Sequence, residues 1–345
     1  MTLLRFALGL ALSFAFAHVQ SAVAYKIVTA SERGTYIQIG RDLAKFVAPG
    51  AEIDLEVLPS VGSAENVQRL RYEPGVRFAL VQSDVYQAFL DQASAGNAEA
   101  GAVIKPLRVI MPLYNEEIYF IARADAPFNW VHEIKDTRIN VGPIRSGTAM
   151  SATTIYRQMF GAPLADAKTS FLSNEDALVK LVGDKTIDVV VVVAGQPAKL
   201  LVDMKPEARQ LIKLLKFDPK NASSAQALKT YFPVAVRASS YPSLLAEDVS
   251  GVAVKAFLVT YDYQLAGSVQ RLSAFARSLC QSFSKLQAEG HPKWREVELA
   301  LPDLGRGWTY SPPTHGELLK CIASGRAPKG LPVCTQQARV LGLCK

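Results

Sequence analysis

The chain has 345 residues, 49% of them hydrophobic and 20% charged, with 22 glycines and 19 prolines. That mixture excludes a disordered, collagen-like or coiled-coil chain, and the length exceeds what one small core holds, so two domains are expected. The net charge is +7, but no lysine or arginine run is dense enough for a nucleic-acid tail; no nucleic-acid partner is expected, only a general affinity for anions.

Arg5 precedes an apolar run from Phe6 to Ala17, and Ala22-Val23-Ala24 follows. A basic start, a short apolar stretch and small residues before a cut describe a secretory leader over 1–24, removed before Tyr25. The run is short against the ~20 apolar residues that span a bilayer. Loss of Arg5 with the leader takes the net charge from +7 to +6. The mature chain is expected to be exported and soluble. Cys280, Cys321, Cys334 and Cys344 all lie near the end of the chain, and in an oxidising compartment they read as possible disulfides with three connectivities. No histidine stands at zinc spacing, so neither metal nor cofactor is expected.

From Tyr25 onward, strand-like and helix-like stretches alternate. Lys26–Thr29, Ile53–Leu58, Arg77–Val81 and Leu107–Leu113 read as strands, with helices over Ile37–Val47 and Ala64–Leu70 between them. A second set follows: strands Ile118–Ala122, Ile139–Gly142, Lys168–Leu172 and Ile187–Ala194, with a helix at Thr148–Met159. A further helix, capped by Ser173, has Leu178, Leu181 and Val182 on its apolar face. The stripe Val269, Leu272, Phe275, Ala276, Leu279, Phe283 and Leu286 marks a long amphipathic helix. Alternation of this kind predicts parallel α/β sheets covered on both faces. Two units in series, then a return, give 25–116 as lobe 1, 117–239 as lobe 2, and 240–345 as the return to lobe 1 with a cysteine-containing tail. Ile118–Ala122, and either Val234–Arg237 or Val252–Val259, are the candidate crossings. Ligands bind between such lobes, at the carboxyl ends of strands.

Catalytic signatures are scarce. His132, His291 and His315 have no motif context, no GxSxG, GxGxxG or GxxxxGK[ST] occurs, and Ser282-Phe-Ser-Lys285 matches SxxK without its companions. A non-enzymatic binder is the expected reading, with an exported serine hydrolase as the rival. The polar turns at strand ends carry more information. Gly142-Pro-Ile-Arg145-Ser146-Gly147-Thr148 opens a helix, where free N–H groups, two hydroxyls and Arg145 would cradle an anion. Gly34-Thr35-Tyr36, Ser60-Val-Gly62-Ser63-Ala-Glu-Asn66, Gln82-Ser-Asp84 and Gly195-Gln196 end other strands. Five such corners facing one cleft would grip a small polar anion. Tyr36 and Tyr119 are candidates for an aromatic wall.

Taken in order from about Lys26 to about Leu319, these stretches closely resemble the TAXI family, the solute-binding subunits of TRAP transporters. The resemblance implies a type II periplasmic-binding-protein fold, with two α/β lobes joined by a hinge around a ligand cleft. It further implies capture of a small organic acid anion such as glutamate or a related dicarboxylate, without catalysis, and delivery to TRAP membrane permease subunits driven by an ion gradient. A binding protein for an ABC importer or a sensor kinase is the alternative. The family's first turn is usually glycine-rich, whereas Ser31-Glu32-Arg33 precedes Gly34 here. Arg33 then has two readings: a partner for a second carboxylate of the ligand, or a surface bridge to Glu32 or Asp84.

Overall fold

The computed structural model describes residues 22–32, 34–304 and 307–324. Arg33, most of the expected leader, Cys334 and Cys344 lie outside them.

The first half of the chain builds strands β1 (Val23–Val28), β2 (Ile53–Leu58) and β3 (Val76–Gln82) with helices α1 (Thr35–Asp42), α2 (Ser63–Tyr72), α3 (Val85–Ser94) and α4 (Ala98–Ile104). β1 starts two residues ahead of the expected cleavage point. It pairs in parallel with both β2 and β3, as consecutive βαβ units require. β4 (Leu107–Arg123) then runs for 17 residues without a break. The two strands expected at Leu107–Leu113 and Ile118–Ala122 are therefore one. The second set is β5 (Ile139–Asn140), α5 (Gly147–Phe160), β6 (Thr169–Ser170), α6 (Asn174–Val182) and β7 (Val189–Ala194). After it come α7 (Lys199–Val202), α8 (Pro206–Arg209), β8 (Ile212–Leu214), α9 (Ala222–Ala227) and β9 (Phe232–Val236). A second long strand, β10 (Val249–Tyr261), returns the chain, and α10 (Ala266–Glu289) and α11 (Pro312–Ala323) follow.

Strand order is β2-β1-β3-β10-β4-β7-β5-β6, with β9 added to β10 and β8 to β4. The sheet is mixed, which corrects the expectation of parallel sheets: β10 is antiparallel to β3, β4 and β9, and β4 is antiparallel to β7. β10 pairs with β9 through Val249–Ala253 and with β3 through Ala256–Val259, so it passes from one half of the sheet to the other. β9 stays in the second half; of the two candidate crossings, the one around Val252–Val259 is the strand that passes through. β4 makes the matching passage, beside β10 from Leu107 to Ile118 and beside β7 from Glu117 to Ala122. Their ladder slips between Lys255 and Phe257, opposite Pro112, a residue that has no N–H to donate.

Side chains alternate across these buried strands. Ile118, Phe120 and Ala122 enter the core beneath α5, whereas Tyr119 and Ile121 enter the core beneath α6. Val189 and Val191, then Val190 and Val192, divide in the same way on β7. The first half likewise has a core on each face, one built on Phe78, Phe275 and Trp294, the other on Val81, Phe89 and Trp308. Met150 of α5 belongs to that last core, so the second lobe is docked on the first. Cys280 of α10 is bonded to Cys321 of α11. Ser282 of the SxxK match donates to the Phe46 carbonyl at 2.8 Å.

Candidate functional site

Parallel strands end at one edge of each half-sheet, and the turns that leave those ends meet across the lobe boundary. They enclose a cavity of about 740 Å3. From the first lobe it is lined by Gly34, Thr35 and Tyr36 after β1, by Gly62 and Ser63 after β2, and by Gln82 at the end of β3. The second lobe contributes Ser146, Gly147 and Thr148 after β5, and Gly195 after β7. All ten are residues that the sequence picked out.

Three helices thus begin at the same cavity. Ser146 caps α5 through its Oγ, which accepts from Ala149 N at 3.0 Å. The N–H groups of Thr35 and Tyr36 at the start of α1, Ser63 and Ala64 of α2, and Gly147 and Thr148 of α5 have no partner among the described residues. Helix N-termini carry partial positive charge, so the convergence creates an anion-favouring corner with no lysine or arginine among the described residues of these three turns that line it. Gln82 is buried there; its Oε1 accepts from Ser63 Oγ at 3.3 Å, and its amide nitrogen has no partner among the described residues.

Packing at the corner is close. Gly62 has φ of 129°, which glycine tolerates readily, and a Cβ there would lie 2.9 Å from Gly147 N. A Cβ on Gly147 would lie 1.9 Å from Gln82 Oε1 and 2.9 Å from Ser63 Oγ. Both glycines let the two lobes touch.

Ser60, Asn66, Asp84, Arg145 and Gln196 do not line the cavity. Ser60 Oγ donates to Asn66 Oδ1 at 2.6 Å, and the Asn66 amide donates to the Leu80 carbonyl at 2.7 Å and to the Thr29 carbonyl, so the pair shapes the turn behind α2. Gln196 is fully engaged: it donates to Glu117 and to the Ala235 carbonyl and accepts from Arg237 N. Arg145, with φ of 69°, is exposed and donates to Gln68 Oε1 across the lobe boundary. Asp84 is buried and accepts from Ser151 Oγ at 2.6 Å and Tyr231 Oη at 2.9 Å, both from the second lobe. No arginine among the described residues pairs with it, and burial pushes its carboxyl up to about 6. Glu32 pairs with Arg41 at 2.9 Å. Tyr119 is buried away from the cavity, its hydroxyl 2.7 Å from that of Tyr241.

Sequence reasoning missed Glu116. It lies mid-way along β4, lines the cavity, and accepts from Tyr36 Oη at 2.6 Å. Burial pushes its carboxyl up to about 7, against the pull of the Tyr36 hydrogen bond and the Lys293 charge. Neighbouring Glu117 is held by Gln196 and lies 3.9 Å from the buried Lys293. Two consecutive glutamates set directly before the apolar run Ile118–Ala122 were the signal available in the sequence.

Two long strands running antiparallel through both half-sheets, with a cavity at the carboxyl ends of the remaining strands, define the class: a type II periplasmic-binding-protein fold. A family model described as the NMT1-like family matches residues 27–279, and the chain belongs to that family. Among solved structures it is similar to XAC2383 from Xanthomonas citri bound to ATP, at 12% identity over 89% of this chain and 99% of that one, with a TM-score of 0.44. It is also similar to the periplasmic binding protein BugD, at 13% over 88% and 95%, TM-score 0.46. A TctC solute binding protein from Polaromonas matches at 15% over 89% and 98%, TM-score 0.41. No helix among the described residues is long and apolar enough to cross a membrane.

Proposed function

We propose that this protein is an extracytoplasmic solute-binding subunit that captures a small organic acid anion between its lobes and delivers it to TRAP-type membrane permease subunits. On this reading the leader over 1–24 is removed, the mature chain acts in the periplasm as a monomer, and it carries out no catalysis. Its lobes meet within β4 near Glu116 and within β10 near Lys255, where the ladder is irregular. The observation that carries the proposal is the convergence of three helix N-termini, with N–H groups unpartnered among the described residues, on one cavity. Gly34, Thr35, Tyr36, Gly62, Ser63, Gln82, Ser146, Gly147, Thr148 and Gly195 touch the solute. Ser60, Asn66, Asp84, Arg145 and Gln196 hold the corners and the lobe contact. Closure is a two-state equilibrium biased by the ligand, and the closed form is what a permease distinguishes from the empty one.

Thermal-shift screening tests the ligand class, because a ligand of the native state raises stability by RT ln(1 + [L]/Kd). Organic acids are expected to stabilise the protein; stabilisation by sugars or cationic amino acids alone removes the anion reading. A neighbouring gene for a multi-helix permease supports the TRAP assignment, and an ATPase gene there points to an ABC importer instead.

A further inference from the structure

The cavity has two unlike ends. One is the polar corner of helix N-termini, which is also lined by the buried Gln82, whose amide nitrogen has no partner among the described residues. The other runs into the second lobe between α6, β7 and the short helices α7 and α8. Its walls there are Leu178, Val182, Val192, Leu200, Met204 and Ile212. Leu178, Val182, Leu200 and Met204 pack on the α6-side core with one side only and are half-buried. Lys199 and Asp203 at the border of this arm pair with each other, and Glu175 is exposed at the first turn of α6. Thr148 joins the two ends, since Val193 N on β7 donates to its Oγ1 at 3.4 Å.

A compact dicarboxylate satisfies the polar corner and leaves the arm wet. The full volume, about 740 Å3, falls in the range of sites that enclose drug-sized ligands, roughly 300–1,000 Å3. Apolar walls around such a space are stabilised when an apolar body displaces the water from it. We infer that the solute is an amphipathic carboxylic acid, its carboxylate at the junction of α1, α2 and α5 and its aliphatic or aromatic body along the arm lined by Leu178, Val182 and Met204. This rests on the anion-binding reading and adds the chemistry of the rest of the molecule.

Calorimetric titration of the mature chain with acetate, butyrate, hexanoate, octanoate and phenylbutyrate tests it, with glutarate, glutamate and octanol as controls. Affinity is expected to rise along the straight-chain series, about three- to fourfold for each methylene that enters the arm, the equivalent of ~0.8 kcal/mol per buried CH2. Leu178→Gln flattens that dependence; Met204→Gln repeats the test at a second wall, and unliganded melting curves confirm that each variant folds. Tight binding of glutarate or glutamate with no chain-length dependence overturns the amphipathic solute and leaves the anion reading standing. Octanol binding as tightly as octanoate removes the carboxylate half instead, and binding of none of these acids removes both.

Discussion

At the scale of single residues, Gly147 is the position with least freedom. Any side chain there collides with Gln82 and Ser63, which belong to the other lobe, so the closed form suffers and the open one does not. Overpacking of this kind costs typically about 1–3 kcal/mol. Gly147→Ala is therefore expected to weaken solute affinity roughly 5- to 150-fold in a calorimetric titration; unchanged affinity would show that the lobes do not meet at this point when loaded. Glu116 sets a pH dependence. Its folded-state carboxyl titrates at about 7 against 4.5 for an ordinary glutamate, so the native state holds the proton more tightly than the unfolded chain does. The resulting stability is fully present below 4.5 and is lost as pH rises through about 7. Asp84 acts with the same sign between 3.8 and about 6. Scanning calorimetry should record a falling melting temperature across this window, with a shallower fall in Glu116→Gln.

At the scale of elements, local chemistry was legible at the starts of α5 and α6. Ser146 and Ser173 cap α5 and α6 through N–H groups three residues on, a relation that spacing alone reveals. The continuity of β4 was not legible. Pro112 and the pair Glu116-Glu117 look like interruptions, and only pairing with β10 keeps the strand running through them. The pairing of Cys280 with Cys321 was equally hidden, because it depends on α10 and α11 lying side by side, and four cysteines leave the choice open. Such a bridge contributes typically about 2–4 kcal/mol. Cys321→Ser is expected to lower the melting temperature of the mature protein and to reduce its sensitivity to reductant; a variant as stable as the parent would show that the α10–α11 packing holds by itself.

At the scale of the whole molecule, the lobe contact is polar and specific. Asp84 binds hydroxyls from Ser151 and Tyr231, Arg145 reaches Gln68, and Arg157 reaches Asp91. Without Asp84 the Ser151 hydroxyl loses its acceptor and Tyr231 keeps only the Ser151 carbonyl at 3.2 Å; leaving a buried polar group unsatisfied costs about 1–3 kcal/mol. That loss falls only on the closed form, so Asp84→Ala should enlarge the radius of gyration of the ligand-free protein in small-angle X-ray scattering. An unchanged radius would mean that other contacts, such as Met150 against the first-lobe core, hold the lobes together.

Sequence by itself determined the alternation of strands and helices, the caps, and the small polar turns at strand ends, because each depends on residues within a few positions of one another. Tertiary structure alone decided which of those turns share a cavity, that Arg145 reaches α2 and does not line the cavity, and that Glu116 lies buried in the cavity wall. Those outcomes hang on strands far apart in the chain lying edge to edge, and no local pattern of residues encodes which distant neighbour a buried charge or an apolar wall will meet.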